Sequence, residues 1–464
     1  MGRAGSRRLQ QRASTDTVSS ELRRWPALPV TLLIVGLLIP WVISFGTLAM
    51  SVYRLVLLAL TFPCLVFWLS GKAGKIRLTD VLLLLFCGWC TIAIAVVHGP
   101  ESSVEPGGIF FLETFGAYLV ARIYIRTADQ FLATARLLFV VVAVVLPFAL
   151  FETVTGQKLI LELFRLVLPT IAGTITELRW SLTRVQGPFE HPILFGVFCS
   201  TMLALTHLVL GRNASPAQRW AMTATVALTG TLSFSSGPLV ALIAQVLLLT
   251  WNGLLETVRS RWRILWALAT VAYLVVELGS NQSVPQYLTH FAFDPWTAYY
   301  RLLIFDYGWA SVLANPLFGT GFNDWVHPSW MSSSIDMFWL VPAIRHGLPA
   351  AILFVLAFLS ATIGVGLKPL QDHRLIAYRT AYLITMGAFF IAGWAVHFWM
   401  ATYVLFMFLL GSGMWLVDAE AEAVPGSAAV RRSSMGWRQR APRARRTGRT
   451  PATARSALSA RRRK

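Results

Sequence analysis

Two arginines stand apart from the other charged residues of this chain. Arg184 lies in the run Arg184-Val185-Gln186-Gly187-Pro188-Phe189-Glu190-His191-Pro192. Arg301 lies in a stretch of 57 residues, 280–336, that carries Asp294, Asp306, Asp324 and Asp336 but no other arginine and no lysine. A guanidinium offers five donors in a fixed fork that matches phosphate oxygens two at a time. Two such groups meeting at a bilayer surface would suit the diphosphate of a lipid-linked sugar. The plainer alternative pairs Arg184 with Glu190 and Arg301 with Asp306. On a helix Asp306 is five residues from Arg301 and off its face, so that pairing is poor.

Acceptor activation needs a base near those arginines. Asp336 is the first candidate, with His346, His191 and Glu190 behind it. A carboxylate is a feeble base at its ordinary pKa of about 3.9 and needs an apolar surround to raise it. His290 and His327 in the long stretch read as solvated surface residues, and His207 and His397 as satisfied core histidines. Arg54 and Glu113 lie within apolar runs, where ionisable groups usually pair; a structural Arg54–Glu113 pair is expected.

The elements that position these residues are apolar helices. Of 464 residues 56% are apolar and 13% charged, with mean hydropathy +0.62. Soluble domains carry about 25% charged residues. Apolar runs of roughly 17–25 residues repeat from end to end, the length of a bilayer-spanning helix. The composition excludes a soluble protein and implies an all-α polytopic membrane protein. Twelve spans are expected, at about 28–46, 49–70, 80–97, 107–123, 132–152, 191–210, 218–233, 236–255, 263–279, 346–366, 379–397 and 399–416. Loops rich in Lys and Arg mark the cytoplasmic side. They put both termini inside and the 153–190 and 280–345 loops outside, the larger lying between spans nine and ten. The organisation is a basic arm (1–25), a transmembrane region (26–417) and a basic tail (418–464).

The formal charge of +19 is concentrated at the ends. Six basic residues fall in the first 24 positions and thirteen between Arg431 and Lys464. This distribution suits an anionic cytoplasmic leaflet, not nucleic acid. The arm reads as an uncleaved anchor flank and the tail as disordered. All four cysteines lie in apolar runs, so Cys87-Gly88-Trp89-Cys90 reads as packed thiols; no metal or cofactor is implied. Both outer loops should hold surface helices, over Leu159 to Pro169 and Trp296 to Leu313. Asn315-Pro316 should end the second, Gly319-Thr320-Gly321 should turn, and a last amphipathic helix should run from Asp336 to Arg345.

Three segments together resemble the O-antigen ligase/polymerase superfamily of membrane glycosyltransferases. Arg184, Gly187 and Phe189 match its Arg-x-x-Gly-x-Phe motif. Thr231-Leu232-Ser233-Phe234-Ser235-Ser236-Gly237 is similar to its Thr-x-Ser-Arg-Gly turn. Arg301 through Asn315-Pro316 and Gly319-Thr320-Gly321, then Asp336-Met337-Phe338-Trp339-Leu340 and Gly347-Leu348-Pro349, resemble its large-loop signature. The resemblance implies a GT-C-like fold and an undecaprenyl-diphosphate-linked glycan donor used without metal at the periplasmic face of the inner membrane. A glycan acceptor would take the sugar, and the resemblance implies that Arg184, Arg301 and Ser236 bind substrate, the arginines facing the donor diphosphate. Ser236 stands where the family has its turn arginine, and Asp336-Met337 where it has a His-Asn pair. These departures point away from a lipid A core ligase and toward a polymerase of exopolysaccharide or O-antigen. A flippase for lipid-linked oligosaccharide, or a non-catalytic assembly partner, is the competing class.

Overall fold

The computed structural model describes residues 25–46, 48–279 and 295–419. The basic arm, the basic tail beyond Ala419, His290 and Asp294 lie outside the described residues. The described residues are all-α apart from one hairpin, and run α1 (Leu28–Gly36), β1 (Val42–Phe45), β2 (Leu48–Ser51), α2 (Val52–Leu69), α3 (Leu78–His98), α4 (Glu101–Phe111), a π-helical turn (Leu112–Gly116), α5 (Ala117–Tyr124), α6 (Ala128–Thr155) and α7 (Leu159–Arg165). They continue through α8 (Pro192–Ser200), α9 (Pro216–Thr231), α10 (Ser236–Leu254), α11 (Arg261–Gly279), α12 (Pro295–Ala314), α13 (Val341–His346), α14 (Leu348–Leu367), α15 (His373–Ala392) and α16 (Met400–Ser412).

Among the described residues, nine helices are long and apolar enough to cross a bilayer: α2, α3, α6, Pro192–Asn213, α10, α11, α14, α15 and Met400–Asp418. Each coincides with an expected span. These helices make the chain an all-α membrane protein. The other three expected spans take different forms. The 28–46 run is helical only over Leu28–Gly36; its remainder enters a hairpin with Val42 opposite Ser51. Main-chain bonds from Val42 to the Pro169 carbonyl (2.9 Å) and from Ile171 to that of Pro40 (2.9 Å) tie this hairpin to the 153–190 segment. Those distant partners draw the backbone away from helix. The 107–123 run is helical but passes through the π-turn at Leu112–Gly116. The 218–233 run is a helix of 16 residues, Pro216–Thr231.

Helix ends follow local chemistry. Thr127 caps α6 and Ser215 caps α9, each in a capping box with a glutamine three residues on, at Gln130 and Gln218. Gly156, at φ 74°, closes α6 in the left-handed region that favours glycine. The core runs along α16, whose residues Ala401 to Ser412 are all buried. By contrast α11 has no buried residue. Apolar side chains such as Leu247 on α10 and Leu274 on α11 are exposed along the flanks, the pattern of helices solvated by lipid.

A buried charge cluster joins α3, α5 and the end of the chain's last span. Asp80 accepts from the Tyr118 hydroxyl (2.5 Å), Trp68 Nε1 (3.1 Å) and the Arg77 backbone N–H (2.9 Å). Arg122 places Nε 3.6 Å from Asp80 and Nη1 3.3 Å from Asp418, while Nη2 donates to the Lys75 carbonyl at 3.0 Å. Arg77 also pairs with Asp418. The alternating partners neutralise charges that hydrocarbon would otherwise penalise.

The large loop folds back on the spans. As expected, α12 ends before Asn315-Pro316, and Gly319 (φ 69°) and Gly321 (φ 59°) turn the chain. The turn is held by bonds from Thr320 to the Ile344 carbonyl (2.8 Å) and from Gly321 to that of Arg345 (2.9 Å). A Cβ on Gly319 would lie 2.5 Å from the Arg345 carbonyl carbon, so only glycine fits. The expected helix from Asp336 is shorter, covering only Val341–His346. The Phe338 N–H instead donates across the fold to the Val396 carbonyl (3.2 Å), and Pro342 sets the helix start.

Candidate functional site

The segment between α15 and α16, residues 393–399, is not regular helix. The candidate residues gather around it. Arg301 Nε donates to the Ala395 carbonyl at 2.8 Å. Arg184 Nη2 donates to Ser235 Oγ at 2.7 Å and its Nε to the Ser233 carbonyl at 3.4 Å. Two residues on, Gly237 is packed so closely on the same segment that a Cβ would lie 2.4 Å from Val396 Cγ2. Thus Arg301 touches the 393–399 segment directly, and Arg184 reaches it through the 233–237 turn. Among the described residues no ion pair joins Arg184 to Glu190.

The irregular segment that follows Arg184 is held by hydrogen bonds and close packing. Glu152, buried near the end of α6, accepts the backbone N–H groups of Gln186 (2.8 Å) and Gly187 (3.1 Å). Gly187 has φ 56°, and a Cβ there would lie 3.0 Å from the Phe195 ring. Phe189 packs beside Phe198, with ring centroids 4.8 Å apart. Lys158 Nζ donates to Gln186 Oε1 at 2.5 Å. Arg179 Nη1 donates to the Phe234 carbonyl at 2.7 Å, placing a further guanidinium at the turn. Burial, and then the Arg179 charge, lower the Arg184 pKa to about 10.

Three helix N-termini share this region. His191 is the N-cap of α8: its Nδ1 accepts from the Ile193 N–H at 3.2 Å. The neutral ring therefore carries its proton on Nε2, where it can donate. Burial, and then the Arg184 guanidinium, hold the imidazole below its usual pKa. Ser236 is the first residue of α10 and half-buried. Met400, with φ 51°, starts α16. His191 lies over Trp399 (6.3 Å between rings), and Trp399 over His397 (5.7 Å). Unsatisfied N–H groups and the helix dipole make such ends favourable to anions.

A cavity of about 280 Å³ opens beside the segment, lined by Arg54, Glu113, His346, His397, Trp399 and Met400 among others. The expected Arg54–Glu113 pair forms, with Nε 2.7 Å from Oε1, and Glu113 lies in the π-turn. Tyr53 OH also donates to Glu113 Oε1 (3.3 Å). His346 Nδ1, His397 Nδ1 and Glu190 Oε2 are buried without a hydrogen-bond partner among the described residues. Burial, and then Arg345, push the His346 pKa down to about 4. Burial raises that of Glu190 to about 7, and the nearby Glu113 charge adds to the rise.

Of the sequence candidates, Arg184, Arg301, Ser236, Glu190, His191, His346 and Asp336 border one region. Asp336 is half-buried, its Oδ1 accepts from Ser334 Oγ at 2.7 Å, and its charge acts on both His191 and His397. His327 pairs with Asp324 (3.1 Å) in an exposed loop, and His207 bonds Thr223 Oγ1 (2.9 Å), both as expected. His397 is the correction. The sequence reading makes it a satisfied core histidine, but its ring lines the cavity with one nitrogen unpartnered. Glu152 and Arg179 were not singled out; a carboxylate closing a long apolar run was the available signal for Glu152. No family model matches this chain, and no curated protein matches it.

Proposed function

We propose that the protein is a membrane glycosyltransferase that polymerises or ligates undecaprenyl-diphosphate-linked glycan repeat units at the outer face of a bacterial inner membrane. The reading draws on the resemblance to the O-antigen ligase/polymerase superfamily, with its GT-C-like architecture. The observation that carries it is the meeting of Arg301, the Arg184-bound turn and three helix N-termini around residues 393–399. Arginine forks and helix N-termini both favour anionic oxygens, and a diphosphate has enough of them to use several of these donors at once.

In this mechanism the acceptor hydroxyl attacks the anomeric carbon of the donor from the face opposite the diphosphate. The new C–O bond forms as the sugar–phosphate bond breaks, with inversion. Undecaprenyl diphosphate leaves as an anion, so it needs stabilisation and not protonation. Arg184, Arg301 and the Nε2–H of His191 supply that stabilisation. Ser236, at the N-terminus of α10, presents its N–H and hydroxyl to the same charge.

The hydroxyl proton goes to Glu190. With a pKa of about 7 and a free oxygen, this carboxylate is a better-matched base than an ordinary one. Asp336 then acts by charge on His191 and His397, and His346 and His397 border the cavity as neutral hydrogen-bonding groups. At about 280 Å³ the cavity lies below the usual 300–1,000 Å³ of small-molecule sites; it fits a single sugar ring and not a whole repeat unit.

The test is glycan chain length in cells carrying Arg184→Lys or Arg301→Lys. Long glycan should disappear and lipid-linked single repeats should accumulate outside the membrane. Accumulation inside would favour a flippase, and unchanged chain length would remove the enzyme reading.

A further inference from the structure

A second cavity lies at the other end of the helices that build the candidate site. Ser236 begins α10 at that site, while Leu254 at its far end lines this second cavity; α15 likewise runs from His373 at the cavity to Ala392 beside the site. Nineteen residues of α10 at 1.5 Å each separate the two by about 28 Å.

The second cavity has a volume of about 1380 Å³ and is bordered by Arg212, Arg219, Arg259, Arg261 and Arg379. Glu256 is its one carboxylate. None of these arginines belongs to an ion pair among the described residues. Three of them donate to neutral groups. Arg212 Nη1 donates to the His373 carbonyl (3.4 Å), Arg261 Nε to Asn252 Oδ1 (3.2 Å) and Arg379 Nη1 to the Lys368 carbonyl (2.6 Å). Arg219 Nε is buried with no hydrogen-bond partner among the described residues. Guanidinium groups crowded without counter-charge repel one another, and an anion between them relieves that repulsion.

The walls are apolar where the arginines are not. Val246, Leu254 and Trp220 line the cavity and are exposed, Leu254 by 79%. A soluble anion gains nothing from those surfaces, but a lipid fills them with its chains while its headgroup meets the arginines. We propose that this cavity binds the phosphate headgroup of an anionic lipid, independently of the transfer reaction.

The test uses the full-length protein in nonionic detergent, with its melting midpoint followed against cardiolipin, phosphatidylcholine or inorganic diphosphate. Wild type is compared with Arg212→Gln/Arg259→Gln, which alters two exposed side chains, and with Arg219→Gln/Arg379→Gln, which alters more enclosed ones. Cardiolipin should raise the midpoint of wild type, and phosphatidylcholine should not. Half-maximal stabilisation should need roughly thirtyfold more cardiolipin in the first variant, from the loss of about 1 kcal/mol for each of two arginines. The second variant should show the same if it folds, and the exposed pair decides if it does not. Stabilisation by inorganic diphosphate as strong as by cardiolipin, lost in the same variants, would keep the anion site and make its source soluble. Equal cardiolipin stabilisation of wild type and the first variant would place the lipid elsewhere, on the basic ends of the chain, and overturn the proposal.

Discussion

Two groups of buried polar side chains in this protein are built differently. Around Asp80 both carboxylate oxygens are occupied, one by Tyr118 and the other by Trp68 and the Arg77 N–H, with Arg122 alongside. Around residues 393–399, Glu190, His346 and His397 each keep a buried atom without a partner among the described residues. A buried polar group left unmade costs on the order of 1–3 kcal/mol. Arg77 Nε and Arg122 Nε of the first group also lack a hydrogen bond, but both guanidinium groups are ion-paired, Arg122 with Asp80 and Asp418 and Arg77 with Asp418. The first group therefore holds helices together, whereas the spare atoms of the second have no ion pair among the described residues and are open to a ligand or water. The contrast separates charges that serve the fold from charges that serve the site.

The comparison can be broken most severely from the structural side. Arg122→Ala leaves Asp80 buried without its cation, a change worth about 3–5 kcal/mol. Purified Arg122→Ala should lose most of its folded fraction in detergent melts, whereas Arg184→Ala should melt close to wild type. Equal melting of both would erase the distinction.

Replacing Gly187 with Ala comes next. Its φ of 56° and the Phe195 ring within 3.0 Å make any side chain costly, by about 1–2 kcal/mol for the left-handed backbone alone. The motif would lose the peptide geometry that gives two N–H groups to Glu152. A lower melting midpoint together with reduced transfer is expected; an unchanged midpoint would show that the glycine is not needed for shape.

The smallest effect on stability, and the most informative on chemistry, concerns Glu190. Its folded pKa of about 7 lies above the usual carboxylate value, so the stability it contributes is complete at low pH and is lost as pH rises through about 7. Its proposed use as a base has the opposite sign, and under that mechanism transfer should rise as the carboxylate ionises through the same pH. Glu190→Gln should remove both dependences, flattening the melting midpoint between pH 5 and 8 and abolishing the rising limb of the rate. His346, held down to about 4, runs the other way. It contributes stability above its unfolded pKa, which fades as pH falls toward about 4.

Much of this arrangement was readable in the residues. Nine spans, the Arg54–Glu113 pair and the turn at Gly319 and Gly321 follow from local apolar length, lone charges and glycine spacing. What escaped the sequence depends on partners far along the chain. The hairpin at Val42 needs the Pro169 carbonyl, and Phe338 leaves helix geometry for the Val396 carbonyl. His397 looks like a core residue because its neighbours are apolar; only the cavity formed with Arg54 and Met400 makes it otherwise. Asp80 and Arg122 are 42 residues apart in sequence, and nothing in their local runs announces the pairing.

The central claim is that Arg184 and Arg301 hold one diphosphate between them. Binding of undecaprenyl diphosphate to the purified full-length protein, wild type against Arg184→Ala, Arg301→Ala and the double variant, tests it directly. Each single variant should weaken binding, and the double variant should be little worse than the singles, because both guanidinium groups serve one ligand. Wild-type affinity in either single variant, or strictly additive losses, would contradict the account.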